Sequence, residues 1–148
     1  MVALLGLALA MTVVEGAPCE SVRGPHFLGD RVAVDIACRA GGEKAVLEFV
    51  LRQVGKKGQG AISEFTLAFF GLVEEVRAPK GWLVERRAQP VSGATELVWR
   101  ATQRRHAVKR GKDASGFGLT LSGEAARLDC NWSYKDTELG GGVGGCVS

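Results

Sequence analysis

From Ala126 to Lys135 the chain alternates without a slip. Ala126, Leu128, Cys130, Trp132 and Tyr134 fall on one side, and Arg127, Asp129, Asn131, Ser133 and Lys135 on the other. A period of two is that of a β-strand, whose successive side chains point to opposite faces, and it does not fit the 3.6-residue period of an amphipathic helix. The pattern recurs along the chain. Val32, Val34, Ile36 and Cys38 oppose Arg31, Ala33, Asp35, Ala37 and Arg39. Leu47, Phe49 and Leu51 oppose Glu48, Val50 and Arg52 within a strand predicted over Val46–Val54. Phe65, Leu67 and Phe69 form the inward set of Ile62–Phe70, with Phe70 left outside. Leu97, Trp99 and Ala101 oppose Glu96, Val98 and Arg100, and Phe117, Leu119 and Leu121 oppose Gly118, Thr120 and Ser122. Shorter strands are expected at Val73–Val76 and Trp82–Arg87. One segment is ambiguous, because Glu43–Leu51 contains good helix formers; its alternation and short bounded length favour a strand.

Glycine and proline separate these runs. Turns or loops are expected at Ala40-Gly41-Gly42, Gly55–Gly60, Pro79-Lys80-Gly81 and Pro90–Gly93, and Gly123 is expected to end the Phe117 strand. Seven or eight short strands punctuated in this way predict an all-β fold, an antiparallel β-sandwich. The stretch from Pro79 to Phe117 is its expected centre. A turn is followed by Trp82, Trp99 sits in mid-strand, and Phe117 closes the next strand, so aromatic rings supply much of the buried area.

The 148 residues allow one domain. Val2–Val14 is apolar apart from Gly6 and Thr12 and carries no charge, and Glu15-Gly16-Ala17-Pro18 follows as a small-residue break. Thirteen residues are too few to span a bilayer and suit a secretory leader, although this one has no Lys or Arg ahead of it. The expected organisation is a signal peptide at 1–16, a β-sandwich domain at 17–139 and a glycine-rich tail at 140–148, with no transmembrane segment once the leader is removed. Pro18 before Cys19 is wrong for lipidation. Without the leader, 19 basic residues face 15 acids, a net charge of +4. Such a mild excess permits attraction to acidic polymers without demanding it.

Cys19, Cys38, Cys130 and Cys146 are the four cysteines. None forms a C-x-x-C pair and only two histidines exist, so neither a zinc site nor any other cofactor is expected. In an exported chain an even number of cysteines predicts two disulfides. Cys38 and Cys130 close inward-facing sets, which favours Cys38–Cys130 with Cys19–Cys146. The local pairing, Cys19–Cys38 with Cys130–Cys146, is the rival, because short loops meet more often during oxidation.

Catalytic patterns are absent from the sequence. The Gly55-Lys56-Lys57-Gly58-Gln59-Gly60 loop matches neither phosphate-binding glycine motif. No G-x-S-x-G elbow accompanies His26 or His106, and His106 lies beside Arg104 and Arg105. Glu74 and Glu75 are strand neighbours that would point to opposite faces, and Asp35 and Asp129 fall in outward sets. Trp82, beside its turn, is the one tryptophan that could face a sugar. The clearest charge feature is the basic segment Arg100, Arg104, Arg105, Lys109, Arg110 and Lys112, six cations in thirteen residues with only Asp113 adjacent. These could meet phosphates or sulfates on a polyanion; the plainer reading is a solvated loop. No aromatic residue interleaves the cations, so there is no specific nucleic-acid signal.

Five segments together resemble a known group: Ile62-Ser63-Glu64-Phe65-Thr66-Leu67, Pro79-Lys80-Gly81-Trp82, Val98-Trp99-Arg100-Ala101, Val108-Lys109-Arg110-Gly111 and Ser115-Gly116-Phe117. Across Val46–Tyr134 the chain resembles the small secreted bacterial immunoglobulin-like domains of exported proteins. The resemblance implies an immunoglobulin-like antiparallel β-sandwich. Its motifs are turn glycines and core aromatics, and no catalytic residues come with it. The four cysteines and the basic run before Gly111 depart from that pattern. The function expected is a secreted, non-enzymatic module with a binding or structural role, its partner an acidic polymer or another extracellular protein. The alternatives are a small secreted hydrolase with an unrecognised site, and a polyanion binder acting through Arg100 to Lys112.

Overall fold

In the computed structural model the described residues are Cys19, Val22 and positions 24–56, 60–88, 93–138 and 140–144. The expected leader, the centre of the 55–60 loop, most of the 90–93 turn and Cys146 lie outside them. The described residues form eight strands: β1 (His26–Leu28), β2 (Val32–Gly41), β3 (Lys44–Gln53), β4 (Ile62–Arg77), β5 (Trp82–Ala88), β6 (Thr95–Ala101), β7 (Asp113–Asp136) and β8 (Gly141–Gly144). A single 3-10 turn, Arg104–His106, lies between β6 and β7. Among the described residues no helix is long and apolar enough to cross a membrane.

All pairings are antiparallel, and the strands follow the order β1-β2-β3-β7-β4-β6-β5, with β8 beside β7. The ladder is continuous, yet it makes two walls. Strand β3 is separated from β6 by β7 and β4, which in a flat sheet would put them about 14 Å apart. The Phe49 ring of β3 nevertheless lies 5.4 Å from Trp99 of β6, edge to face. Likewise Phe117 of β7 meets Trp82 of β5 at 5.0 Å. The sheet therefore folds over on itself into a sandwich, with the immunoglobulin-like architecture expected.

The fold line runs across β4 and β7. The first half of β7 pairs with β3, and its second half pairs with β8. Both halves pair with β4, whose register shifts between Phe70 and Leu72. Gly71 sits at that shift with φ +104°, a conformation open to glycine. Bulged long strands that pass from one wall to the other are a standard way to turn a sandwich corner. Here the structure corrects two expected boundaries. Val73–Val76 is the end of β4 and not a separate strand, and Gly123 lies within β7 and does not end it.

Most of the inward sets read from the alternation form the core: Val32, Val34, Ile36, Leu47, Phe49, Leu51, Phe65, Leu67, Phe69, Leu97, Trp99, Phe117, Leu119 and Leu121 are buried. Ala101, Leu128 and Trp132, expected inward, are only half-buried and pack against its margin. Trp99 is fully buried, stacked on Phe65 at 4.9 Å, with its indole N–H donated to the Arg77 carbonyl (3.0 Å). The ambiguous Glu43–Leu51 segment is β3, paired along its length with β2 and β7, so tertiary pairing overrides helix propensity. Alternation is less faithful on the outer face. Ala33 and Val98 occupy outward positions and are buried all the same. The rows beside Val98 carry Glu64 with Arg100 and Glu96 with Arg87, so long side chains flank it on both sides.

The start of the glycine-rich tail has a structural role, because Gly141–Gly144 pairs with Trp132–Lys135 of β7. A Cβ on Gly142 would lie 2.8 Å from the Tyr134 ring, and one on Gly141 2.6 Å from the Tyr134 carbonyl. At Gly141 and Gly142 only a residue without a side chain can run this close to β7.

Candidate functional site

The segment 102–112 crosses one end of the sandwich, from the β5–β6 edge to the end of β3. It is fastened along its whole length. The Thr102 N–H donates to the Gly81 carbonyl (2.8 Å), and the buried Trp82 indole donates to the His106 carbonyl (3.2 Å). Ala107 and Val108 turn inward and are buried, and Val108 exchanges two 2.9 Å backbone bonds with Ile62. Lys109–Lys112 is a turn closed by the Lys112 N–H on the Lys109 carbonyl (2.9 Å), with Gly111 at φ +76°. Gln53 holds its far side, accepting from the Gly111 N–H (3.0 Å) and donating to the Lys112 carbonyl (3.3 Å). The Gln53 side chain is itself buried, donating to the Gly60 carbonyl and accepting from the Gly55 N–H. This crosspiece closes the core and displays charge outward.

The six cations of the basic segment divide between two environments. Arg100 belongs to the outer face of β6, where its guanidinium meets Glu64 of β4 (2.6 Å) and Glu85 of β5 (2.7 Å). The Arg100 hydrogen bond, followed by that of Arg87, holds the Glu85 carboxyl below its ordinary range, and Glu85 and Glu64 in turn raise Arg100. Arg104 makes an exposed pair with Glu138 (2.7 Å). Arg105, Lys109, Arg110 and Lys112 are exposed and have no carboxylate partner among the described residues. Lys80, which the sequence reading passed over, joins them: it is exposed on the turn beside Gly81, whose α-carbon faces the His106 ring closely enough to exclude a side chain.

At the same end lies the most buried ion pair described, Arg31 with Asp136. Arg31 also reaches the Gly60 carbonyl and stands over the Tyr134 ring at 5.6 Å. The Asp136 carboxylate accepts the backbone N–H groups of Glu138 (2.9 Å) and Gly140 (2.7 Å). Burial by itself would raise the Asp136 pKa, but Arg31 and the two N–H donors outweigh it and leave the group below its ordinary value. The pair ties the start of β2 to the end of β7 across 105 residues of sequence, a contact that no local pattern announces.

The remaining candidates have structural occupations. His26 is part of β1 and its Nε2 bonds the Val22 carbonyl at 2.7 Å; His106 packs on Gly81. Glu74 pairs with Lys44, Glu75 with Arg77, and Asp35 with Arg52. Trp82 is buried edge-on against Phe65 and Phe117, so it faces the core and not a sugar. Among the described residues no three His, Cys, Asp or Glu side chains converge as metal ligands would.

The favoured disulfide pairing is corrected. Cys38 is bonded to Cys19, with 5.4 Å between their α-carbons, and not to Cys130. The cause is the course of the N-terminal arm. His26 is paired with Val34, and the Gly24 N–H donates to the Ile36 carbonyl, so the arm continues the track of β1 along β2 toward Cys38. An inward side chain on β2 thus meets the arm before it can meet β7. The Cys130 side chain and Cys146 lie outside the described residues.

No family model and no curated protein matches the chain. Among solved structures, the chain is similar to an uncharacterised protein from Nocardia farcinica with an immunoglobulin-like fold. The TM-score is 0.59 at 14% identity, over 74% of this chain and 81% of that one. It is also similar to a cohesin module from a Clostridium perfringens ATCC13124 family 33 glycoside hydrolase, with a TM-score of 0.46 at 10% identity over 76% and 90% of the two chains. At 14% identity the likeness to the Nocardia protein is one of fold, and that fold is an immunoglobulin-like β-sandwich.

Proposed function

We propose that this chain is exported and serves as a non-enzymatic binding or structural module outside the cytoplasm. The observation that carries the reading is the Cys19–Cys38 disulfide, which fastens the segment directly after the uncharged leader onto β2. A stable disulfide belongs to an oxidising compartment, and a leader of this length and composition supplies the route there. His26 and the carboxylates of Glu64, Glu74 and Glu75, groups of the kind an exported hydrolase would need, are engaged in a backbone contact and in ion pairs. What the sandwich offers a partner is surface.

The test is expression of the full chain in a bacterial host, followed by N-terminal sequencing and non-reducing peptide mapping of the exported fraction. The expected product begins at Ala17 or Pro18 and yields a peptide linking Cys19 to Cys38. A chain that stays in the cytoplasm, begins at Met1 and has freely alkylated Cys19 and Cys38 would overturn the reading.

A further inference from the structure

Cations elsewhere on the described surface are occupied. Arg39 pairs with Glu48, Lys44 with Glu74, Arg52 with Asp35, Arg87 with Glu85 and Glu96, and Lys135 with Glu64. Arg86 donates to the carbonyls of Val73 and Glu74, capping the exposed margin of β4. Only at the crosspiece do exposed cations accumulate without carboxylate partners among the described residues: Arg105, Lys109, Arg110 and Lys112, with Lys80 at their flank. Nothing in the packing requires them, since the same segment seals the core with Ala107 and Val108 and is fastened by its backbone. We infer that this end of the sandwich is a docking surface for a linear acidic polysaccharide, whose repeated carboxylates or sulfates meet these five side chains. The inference rests on the exported-module reading, which places the chain where such polymers occur.

Three features favour that partner. Two guanidinium and three ammonium groups on one backbone-fastened frame meet successive oxyanions, so binding costs side-chain entropy but need not order the backbone. The residues 102–112 include no Phe, Tyr or Trp, and the neighbouring Trp82 is buried with its indole N–H given to His106. Nucleic acids bound without sequence preference are held by stacking as well as charge, and the stacking half is missing here. The exposed acids at this end are few: Asp113 next to Lys112, Asp30 on the turn before β2, and Glu138, already paired with Arg104.

The experiment compares the full exported chain with two charge-matched variants. One carries Lys109→Gln, Arg110→Gln and Lys112→Gln on the crosspiece; the other carries Arg39→Gln, Lys44→Gln and Arg87→Gln at the opposite end. Binding to alginate, dextran sulfate and a single-stranded oligonucleotide is measured between 50 and 300 mM salt. Alginate against dextran sulfate tells carboxylate from sulfate as the recognised group. The parent is expected to bind at least one polysaccharide more tightly than the oligonucleotide. The crosspiece variant is expected to lose at least about tenfold at the lowest salt, with the slope of log affinity on log salt reduced by about 2, while the distal variant stays within about twofold. Equal losses in the two variants, no loss in the crosspiece variant, tighter binding to the oligonucleotide, or no binding by the parent would each overturn the inference. None of these outcomes bears on export or the disulfide, which N-terminal sequencing and peptide mapping read separately.

Discussion

Two kinds of cation lie at the same end of this sandwich. Arg31 is nearly buried, bonded to Asp136 and to the Gly60 carbonyl, and stands over the Tyr134 ring. Arg110, on the Lys109–Lys112 turn, is exposed and has no carboxylate partner among the described residues. The first kind recurs through the sheet: Arg77 donates to the carbonyls of Leu47 and Leu119, Arg86 to those of Val73 and Glu74, and Arg100 to two glutamates. These groups tie strands and walls to one another. The second kind is held on a frame that keeps its shape through Gln53, Val108 and Gly111, with its charge left over. The same side-chain chemistry therefore does structural work in the sheet and remains available to a partner on the crosspiece.

The largest effect expected of a single substitution lies in the core on which both regions rest. Trp99→Ala removes a fully buried ring in contact with Phe49, Phe65 and Phe117 and leaves the Arg77 carbonyl without its donor. A loss of about 3–5 kcal/mol is expected in denaturant unfolding. A melting temperature within a degree or two of the parent would mean that the two walls do not meet at Trp99.

A smaller effect follows from pH. The folded-state pKa of Asp136 is depressed below its unfolded value, so its contribution is fully present above the unfolded pKa of about 4 and is lost as pH falls through the folded value. The stability gap between the parent and Asp136→Asn should be constant from pH 8 to pH 5 and shrink below pH 4. A gap that stays the same at pH 3 would show that the Asp136 charge contributes nothing.

Much of this architecture is legible in the chain because burial and alternation are the same fact seen twice. Val32 to Cys38, Leu47 to Leu51 and Phe65 to Phe69 show it directly, each inward set being buried. What is not legible has physical reasons. Gly71 and Gly123 look like stops, yet β4 continues through the bulge at Gly71 and β7 runs on past Gly123. Val98 reads as outward and is so, but long neighbours across the strands flank it. The basic run reads as one cluster, and only the register of β4, β5 and β6 reveals that Arg100 is occupied. Lys80 joins the surface through a contact of Gly81 with His106 that no spacing encodes. The alternation sets both Cys38 and Cys130 on inward-facing sides of the sequence pattern, whereas the pairing of Cys38 is decided by the path of the arm beside β2, which no alternation encodes.

The contrast between the two kinds of cation is tested most directly by urea unfolding at pH 7 of two variants in parallel. One is Arg31→Gln; the other is the crosspiece triple variant Lys109→Gln, Arg110→Gln and Lys112→Gln. Breaking a nearly buried pair and leaving Asp136 without its counter-ion should cost about 3 kcal/mol. Removing three exposed, unpaired charges should change stability by no more than about 0.5 kcal/mol. If the triple variant loses as much stability as Arg31→Gln, the crosspiece cations are part of what holds the fold, and the division drawn between them and the arginines of the sheet is wrong.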